Sequence, residues 1–272
     1  MYSKIAIIVP CYNNGEFLRE CLESVEKQTF QDWTCIVVND GSTDDTEQVA
    51  QVFLNRDSRF DYLFQENKGL AAARNAGIAC TSSEFILPLD ADDMLEHEYV
   101  EKVISLFSNH PEIKIAYSNY RYFGEKNRLE KLPTYSINRL VVDNLINATA
   151  IYRRVDFEKT SGYDSNLKGR EDWDFWLSLL DIDSRVARVE EHLFLYRQRP
   201  NSMNKSITPA DLKEIRCYVF NKHQEKMKLV GGFNNVKSYL RFHVKRRRKM
   251  RFDEILNAVK RKVKGFFKVA KK

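Results

Sequence analysis

The strongest constraint on this chain is an alternation in its first 120 residues. Short runs that are apolar on both faces each end in a polar cluster, and each is followed by a stretch with helical spacing. Ile5–Val9 ends at Pro10. Cys35–Val38 ends at Asn39-Asp40-Gly41-Ser42. Phe60–Phe64 is a third run, and Phe85–Leu89 leads straight into Asp90-Ala91-Asp92-Asp93. Between them, Phe17–Lys27, the segment around Val49, Val52 and Phe53, and Gly69–Cys80 carry apolar residues at helical spacing. Either Thr43 or Asp44 can cap the second of these helices. Strands with two apolar faces need helices on both sides, which implies a mostly parallel central sheet. Ligands of such open sheets bind beyond the carboxyl ends of the strands. Pro10–Asn14, Asp40–Ser42 and Asp90–Asp93 are therefore expected to converge on one crevice.

Beyond residue 120 the pattern loosens. Tyr120–Phe123, Asn147–Arg153 and Val186–Tyr196 read as extended, Glu171–Leu180 as a helix with an almost wholly apolar body, and Ala210–Leu229 as one helix. No apolar run reaches the roughly 18 residues of a membrane-spanning helix. Ile5–Pro10 is too short for the hydrophobic region of a leader and reads as a buried strand. The five cysteines, Cys11, Cys21, Cys35, Cys80 and Cys217, show no CxxC spacing, and the His and Cys residues form no zinc-type cluster. They read as small hydrophobes in a reducing compartment. His97, His110, His192, His223 and His243 are isolated and are assigned no site.

The formal charge of +6 conceals an asymmetry. Residues 237–272 hold 15 Lys and Arg against 2 Asp and Glu, whereas the remainder holds 29 against 36. An acidic body thus carries a basic tail. Its cationic block, Lys245–Lys249, precedes Ile255, Leu256, Val259, Val263, Phe266 and Phe267 at near-helical spacing. That pattern fits a helix lying on an anionic membrane surface. A solvated extension fits the composition too. Nucleic acid is the disfavoured partner, because no recognition fold accompanies the charge.

Three acidic clusters carry chemical readings. Asp90-Ala91-Asp92 at a strand end is either a solvated turn or a pair of carboxylates facing one hard cation, Mn²⁺ or Mg²⁺. Asn39-Asp40-Gly41-Ser42 is either a glycine turn or a carboxylate aimed at a nucleobase or ribose. Glu171-Asp172 is either a pair of acids favoured by a helix N-terminus or a general base on an element separate from the metal.

These clusters occur in order with further motifs: Ile7–Asn13, Val37–Asp44, Asn67–Gly77, Leu89–Asp93, Ser161–Asp164 and Gly169–Asp174. Together they closely resemble the family 2 glycosyltransferases of GT-A fold, over about residues 3–205. The resemblance implies an α/β GT-A domain over 1–205; after it, the residues themselves read as a helical segment over 206–236 and a basic, membrane-associating tail over 237–272. The resemblance also implies inverting transfer from a nucleotide-diphosphate sugar, with a UDP-sugar the expected donor. The acceptor would be a glycan or lipid-linked saccharide at the cytoplasmic face of the plasma membrane, in cell-surface polysaccharide synthesis. Carried over position by position, Pro10 and Tyr12 line the base pocket, Asp40 contacts the base, Arg74 holds the nucleotide and Asp90 approaches the ribose or donor sugar. Asp92 ligates the metal, Asp172 is the catalytic base, and Glu171 and Trp173 orient acceptor or sugar. One position departs from the family pattern. In Tyr196-Arg197-Gln198-Arg199, an arginine stands where the family often has a histidine. Arginine cannot ligate a cation but pairs bidentately with phosphate, so Arg199 is expected to meet the diphosphate. A sugar nucleotidyltransferase would share such a sheet, but Pro10–Gly15 lacks its expected glycine-rich, lysine-bearing signature. A non-catalytic nucleotide-sugar-binding protein of the same fold is the other alternative, and intact Asp92 and Asp172 oppose it.

Overall fold

The computed structural model describes residues 3–246, apart from Asn109 and Asn201. The chain divides into two units, Met1–Thr208 and Pro209–Lys272.

The first unit opens as β1 (Ile5–Cys11), α1 (Gly15–Glu26), β2 (Trp33–Asp40), α2 (Thr46–Leu54), β3 (Phe60–Gln65), α3 (Leu70–Ala79) and β4 (Phe85–Pro88). It continues with β5 (Met94–Leu95), α4 (Tyr99–Ser108), β6 (Ile113–Gly124), β7 (Arg128–Glu130), α5 (Ile137–Leu140), β8 (Ile151–Arg153) and α6 (Arg154–Phe157). It closes with α7 (Glu171–Leu179), β9 (Arg185–Gln198) and α8 (Met203–Ser206). The sheet runs β3-β2-β1-β4-β8-β6-β9-β5, with β7 on the side of β6. The first four strands are parallel, as expected. β8 then runs against both β4 and β6, while β9 is parallel to β6, so the second half is mixed.

Two-faced burial explains the apolar runs. All seven residues of β1 are buried. Side chains alternate across a strand, so Ile5, Ile7 and Val9 join one core with Leu18 and Leu22 of α1, Phe53 of α2 and Val103 of α4. Ile8 and Val38 point the other way, toward α3. There Gly77 lies so close that an added Cβ would sit 2.7 Å from Ile8 Cγ2 and 2.8 Å from Val38 Cγ2.

Differences from the sequence reading cluster after residue 112. The expected strand at Tyr120–Phe123 is the end of a longer one, β6, carried through irregularities near Ser118–Tyr120 by its pairing with β9. Only Ile151–Arg153 of the expected Asn147–Arg153 strand is paired. Cys80 is exposed just past α3, whereas Cys11, Cys21 and Cys35 are buried.

In the second unit the expected single helix breaks at His223 into α9 (Pro209–Lys222) and α10 (Gln224–Leu229). A further helix covers residues 236–246. Tyr239 is buried in it, with its ring centroid 5.4 Å from Phe220 and 5.1 Å from Phe233. The boundary expected at 236/237 falls inside the second unit. Tyr239 ties the start of the basic stretch to the aromatic residues before it, and the unit begins at Pro209. The rest of the tail, including the amphipathic pattern from Ile255, lies outside the described residues. Among the described residues, no helix is long and apolar enough to cross a membrane.

Candidate active site

The strand-end loops of the parallel half are laced to one another. Asn13, at φ 51°, donates its N–H to Ser42 Oγ (3.0 Å), and its Oδ1 accepts the Thr43 N–H (2.8 Å). Asp44 accepts the Gly15 N–H (2.8 Å) and the Thr46 N–H (3.1 Å), joining the starts of α1 and α2, while the N-cap position of α2 falls on Asp45, one residue past the expected Thr43 or Asp44. Asp40 is buried, and it pins the segment before α3. Its Oδ1 accepts from Gln65 Nε2 (2.6 Å) and the Lys68 N–H (2.9 Å), and its Oδ2 accepts the Gly69 N–H (2.9 Å). A carboxylate offers about four lone-pair sites, so Asp40 keeps acceptor capacity beyond these three donors. It lines the main cavity.

Leaving β4, the chain places three carboxylates in four residues, each answered by an arginine. Asp90 Oδ1 accepts from Arg74 Nη2 (2.6 Å), and Arg74 Nη1 reaches Glu171 Oε1 (2.6 Å). Arg74 is 1% exposed, with its guanidinium 5.3 Å from the centre of the Tyr163 ring. Arg74, expected to hold the nucleotide, lines the smaller of the two cavities described below. Its terminal nitrogens are spent on two carboxylates, and it serves as a buried strut between β4 and α7. Asp92 Oδ2 forms an ion pair with Arg199 Nε at 2.8 Å, and Arg199 Nη1 donates to Asn14 Oδ1 (2.7 Å). Asp93 is buried and accepts the Arg197 N–H (2.8 Å), while Arg197 Nε donates to the Asp92 carbonyl (2.7 Å) and Nη2 pairs with Glu20. Burial, then the Asp90 charge, holds the Asp92 carboxyl above its ordinary range, and burial pushes Asp93 well above it.

Asp40 and Asp92 line one cavity of about 610 Å³ with Pro10, half-exposed Tyr12, Asp90 and Arg199. A second cavity, of about 210 Å³, holds Glu171, Asp172, Arg170 and Asn144. Leu70, Asp90 and Tyr196 line both, so the acid clusters meet at a common wall. The sharp entry to α7 aims the second cavity's acids. Gly169 lies at φ 112° and Arg170 at φ 61°, and Glu171 and Asp172 follow in the first turn. Asp172 Oδ2 accepts from Asn144 Nδ2 (2.7 Å), and Oδ1 accepts the Trp173 N–H (2.8 Å). Burial first, and then the neighbouring Glu171 charge, raises the Asp172 carboxyl to about 6.

Trp173, expected to orient acceptor or sugar, lines neither cavity. It is buried, and its indole N–H donates to the Leu140 carbonyl (2.6 Å). Its part is to hold the α5 segment against α7. Asn144 and Arg170 were not singled out in the sequence. Asn144 belongs to a stretch without periodicity, whereas Arg170 sat inside a quoted motif and its left-handed backbone was the overlooked feature.

Among the described residues, no group of three or more His, Cys, Asp or Glu side chains forms a closed metal site. Asp90 and Asp92 nevertheless open into the larger cavity. One or two carboxylates plus substrate phosphates make a usual shell for Mg²⁺, and Mn²⁺ favours the same oxygen ligands, so the residues present fit such an ion.

Comparison with known proteins agrees with this geometry. Glycosyltransferase GlyG of Streptococcus pneumoniae is 30% identical over 261 residues, covering 85% of this chain and 83% of GlyG. EpsJ of Bacillus subtilis is 29% identical over 75% of this chain and 64% of its own length. Chondroitin synthase of Escherichia coli is 26% identical over 82% of this chain, which spans 33% of that protein. Staphylococcus aureus TarS, in complex with UDP-GlcNAc, superposes with a TM-score of 0.71 at 21% identity, covering 86% of this chain and 72% of that one. A Pyrobaculum calidifontis mannosyltransferase with GDP-Man and Mn²⁺ superposes with a TM-score of 0.65 at 15% identity, covering 88% and 70%. These likenesses establish the GT-A fold. The model of "Glycosyl transferase family 2" matches residues 6–172, and with the relatives above it establishes that the chain belongs to that family of glycosyltransferases.

Proposed function

We propose that the protein is an inverting, metal-assisted hexosyltransferase that moves a sugar from a nucleotide-diphosphate donor, a UDP-sugar, to a saccharide acceptor. The observation that carries this reading is the pair of cavities meeting at Asp90, with a carboxylate of raised basicity on the side away from Asp92. Tyr12 offers an aromatic face for a base, and Asp40 has acceptor capacity left for a base N–H. Asp92, backed by Asp90, would hold Mn²⁺ or Mg²⁺, which when bound neutralises charge on the departing diphosphate. Arg199 is placed to add a guanidinium to the same diphosphate.

In the smaller cavity, Asp172 takes the proton of the acceptor hydroxyl as that oxygen attacks the anomeric carbon from the face opposite the diphosphate. Attack from that side inverts the centre in one displacement. Glu171 is fixed by Arg74, so its charge stays near Asp172 and sustains the basicity. The names of relatives that make chondroitin and teichoic acid support a cell-surface glycan as the product. A lipid-linked acceptor would place the enzyme at the cytoplasmic leaflet, where the basic tail would meet anionic lipid. Asp172→Asn tests the base. Turnover should fall by about 10³-fold or more, with the UDP-sugar dissociation constant unchanged in calorimetry with Mn²⁺. Unchanged turnover would remove Asp172 from this role.

A further inference from the structure

Asp92 already has a cation. Arg199 Nε lies 2.8 Å from Asp92 Oδ2, and both residues line the same cavity as Asp90. A divalent ion on that oxygen would sit about 2.1 Å away. Two positive charges on one carboxylate repel, so the guanidinium on Oδ2 lowers the affinity of Asp92 for a divalent ion. The surrounding contacts allow the side chain to leave while its backbone stays. Lys205 Nζ donates to the Arg199 carbonyl (2.6 Å) and pairs with Glu125 (2.8 Å), which anchors the main chain. The guanidinium itself is held by a neutral partner, Asn14 Oδ1, by Asp92, and by the Phe17 ring 5.2 Å away. Neighbouring Arg197 differs. It is locked by the Asp92 carbonyl, by Glu20 and between the Phe17 and Phe123 rings.

We propose that Arg199 is a resident counter-ion that competes with the divalent metal for Asp92 and yields it only when a diphosphate arrives to receive the guanidinium. A diphosphate offers charged, bidentate acceptors that a neutral asparagine cannot match. Metal and nucleotide then bind as a linked pair, each raising the other's affinity by the same factor. This rests on the donor-site reading above and adds to it an order of events that a histidine at position 199 would not produce.

The test is direct binding of Mn²⁺ to the full chain, read as ion retained with the protein in equilibrium dialysis, with and without UDP and against a protein-free UDP control. Physiological ionic strength screens distant exposed charges. Arg199→Ala and Arg199→Gln are compared with the wild type. Both variants should bind Mn²⁺ about tenfold more tightly than the wild type without UDP, and the mutual enhancement between UDP and Mn²⁺ should shrink by a similar factor. Equal Mn²⁺ affinity in wild type and both variants without UDP overturns the competition and leaves the donor site standing. Failure of every protein to bind Mn²⁺ even with UDP overturns both readings.

Discussion

With Asp172 as the proposed base, residue 172 would set when the enzyme can work. A base must be ionised to accept a proton, and its carboxyl is raised to about 6, first by burial and then by the Glu171 charge. Turnover should therefore rise as pH climbs through about 6 and level off above it. The Asn144 N–H donates to Asp172 Oδ2 and favours the ionised form. Asn144→Ala removes about 0.5–1.5 kcal/mol of that preference, which moves the acidic limb of the kcat profile upward by roughly 0.5–1 pH. A limb that stays in place would show that Asn144 only packs. At this scale the sequence was a partial guide. Asp40, Asp92 and Asp172 were legible because each follows a strand end or opens a helix. The partners of Arg74 were not, because a helical position says nothing about carboxylates 16 and 97 residues away in the chain. The placement of Trp173 was hidden for a related reason. A helix apolar on nearly every side is buried on every side, and the acids beside Trp173 said nothing of its own direction.

Among the elements, α3 is the one whose placement the site most depends on. It carries Arg74, and Asp40 fixes the loop that leads into it. Its closeness to the sheet rests on Gly77, whose missing Cβ leaves room for methyl groups of two β-branched residues that cannot rotate away cheaply. Gly77→Ala should destabilise the fold by about 1–3 kcal/mol, lowering Tm by roughly 3–9 °C in a thermal melt. It should also weaken donor binding, because α3 must lift and carry Arg74 with it. An unchanged Tm would mean that Ile8 and Val38 yield without cost. The parallel half was readable element by element because burial on both faces leaves continuous apolar runs. Residues 131–150, which wall the smaller cavity, fold by irregular contacts such as Ile146 N–H to Asn144 Oδ1 (3.3 Å), and no period betrays those.

For the whole molecule, the division at Pro209 separates the glycosyltransferase unit from a helical unit whose apolar ties run at least to His243. A truncation meant to probe the tail should fall after residue 246 and spare the helix that contains Tyr239. Such a protein should keep UDP-sugar binding in calorimetry and lose salt-sensitive co-flotation with vesicles containing phosphatidylserine. Equal flotation of both forms would remove the tail from membrane attachment. The charge asymmetry was plain from composition, whereas the position of the boundary depended on ring contacts that composition does not encode. The strut of Arg74 bears on how this architecture can diversify. A single guanidinium ties Asp90, on the wall common to both cavities, to Glu171 in the smaller one, so neither cavity can be rebuilt at that wall without disturbing its neighbour. New acceptor preferences would have to be written into the irregular rim around residues 131–150, leaving the brace untouched.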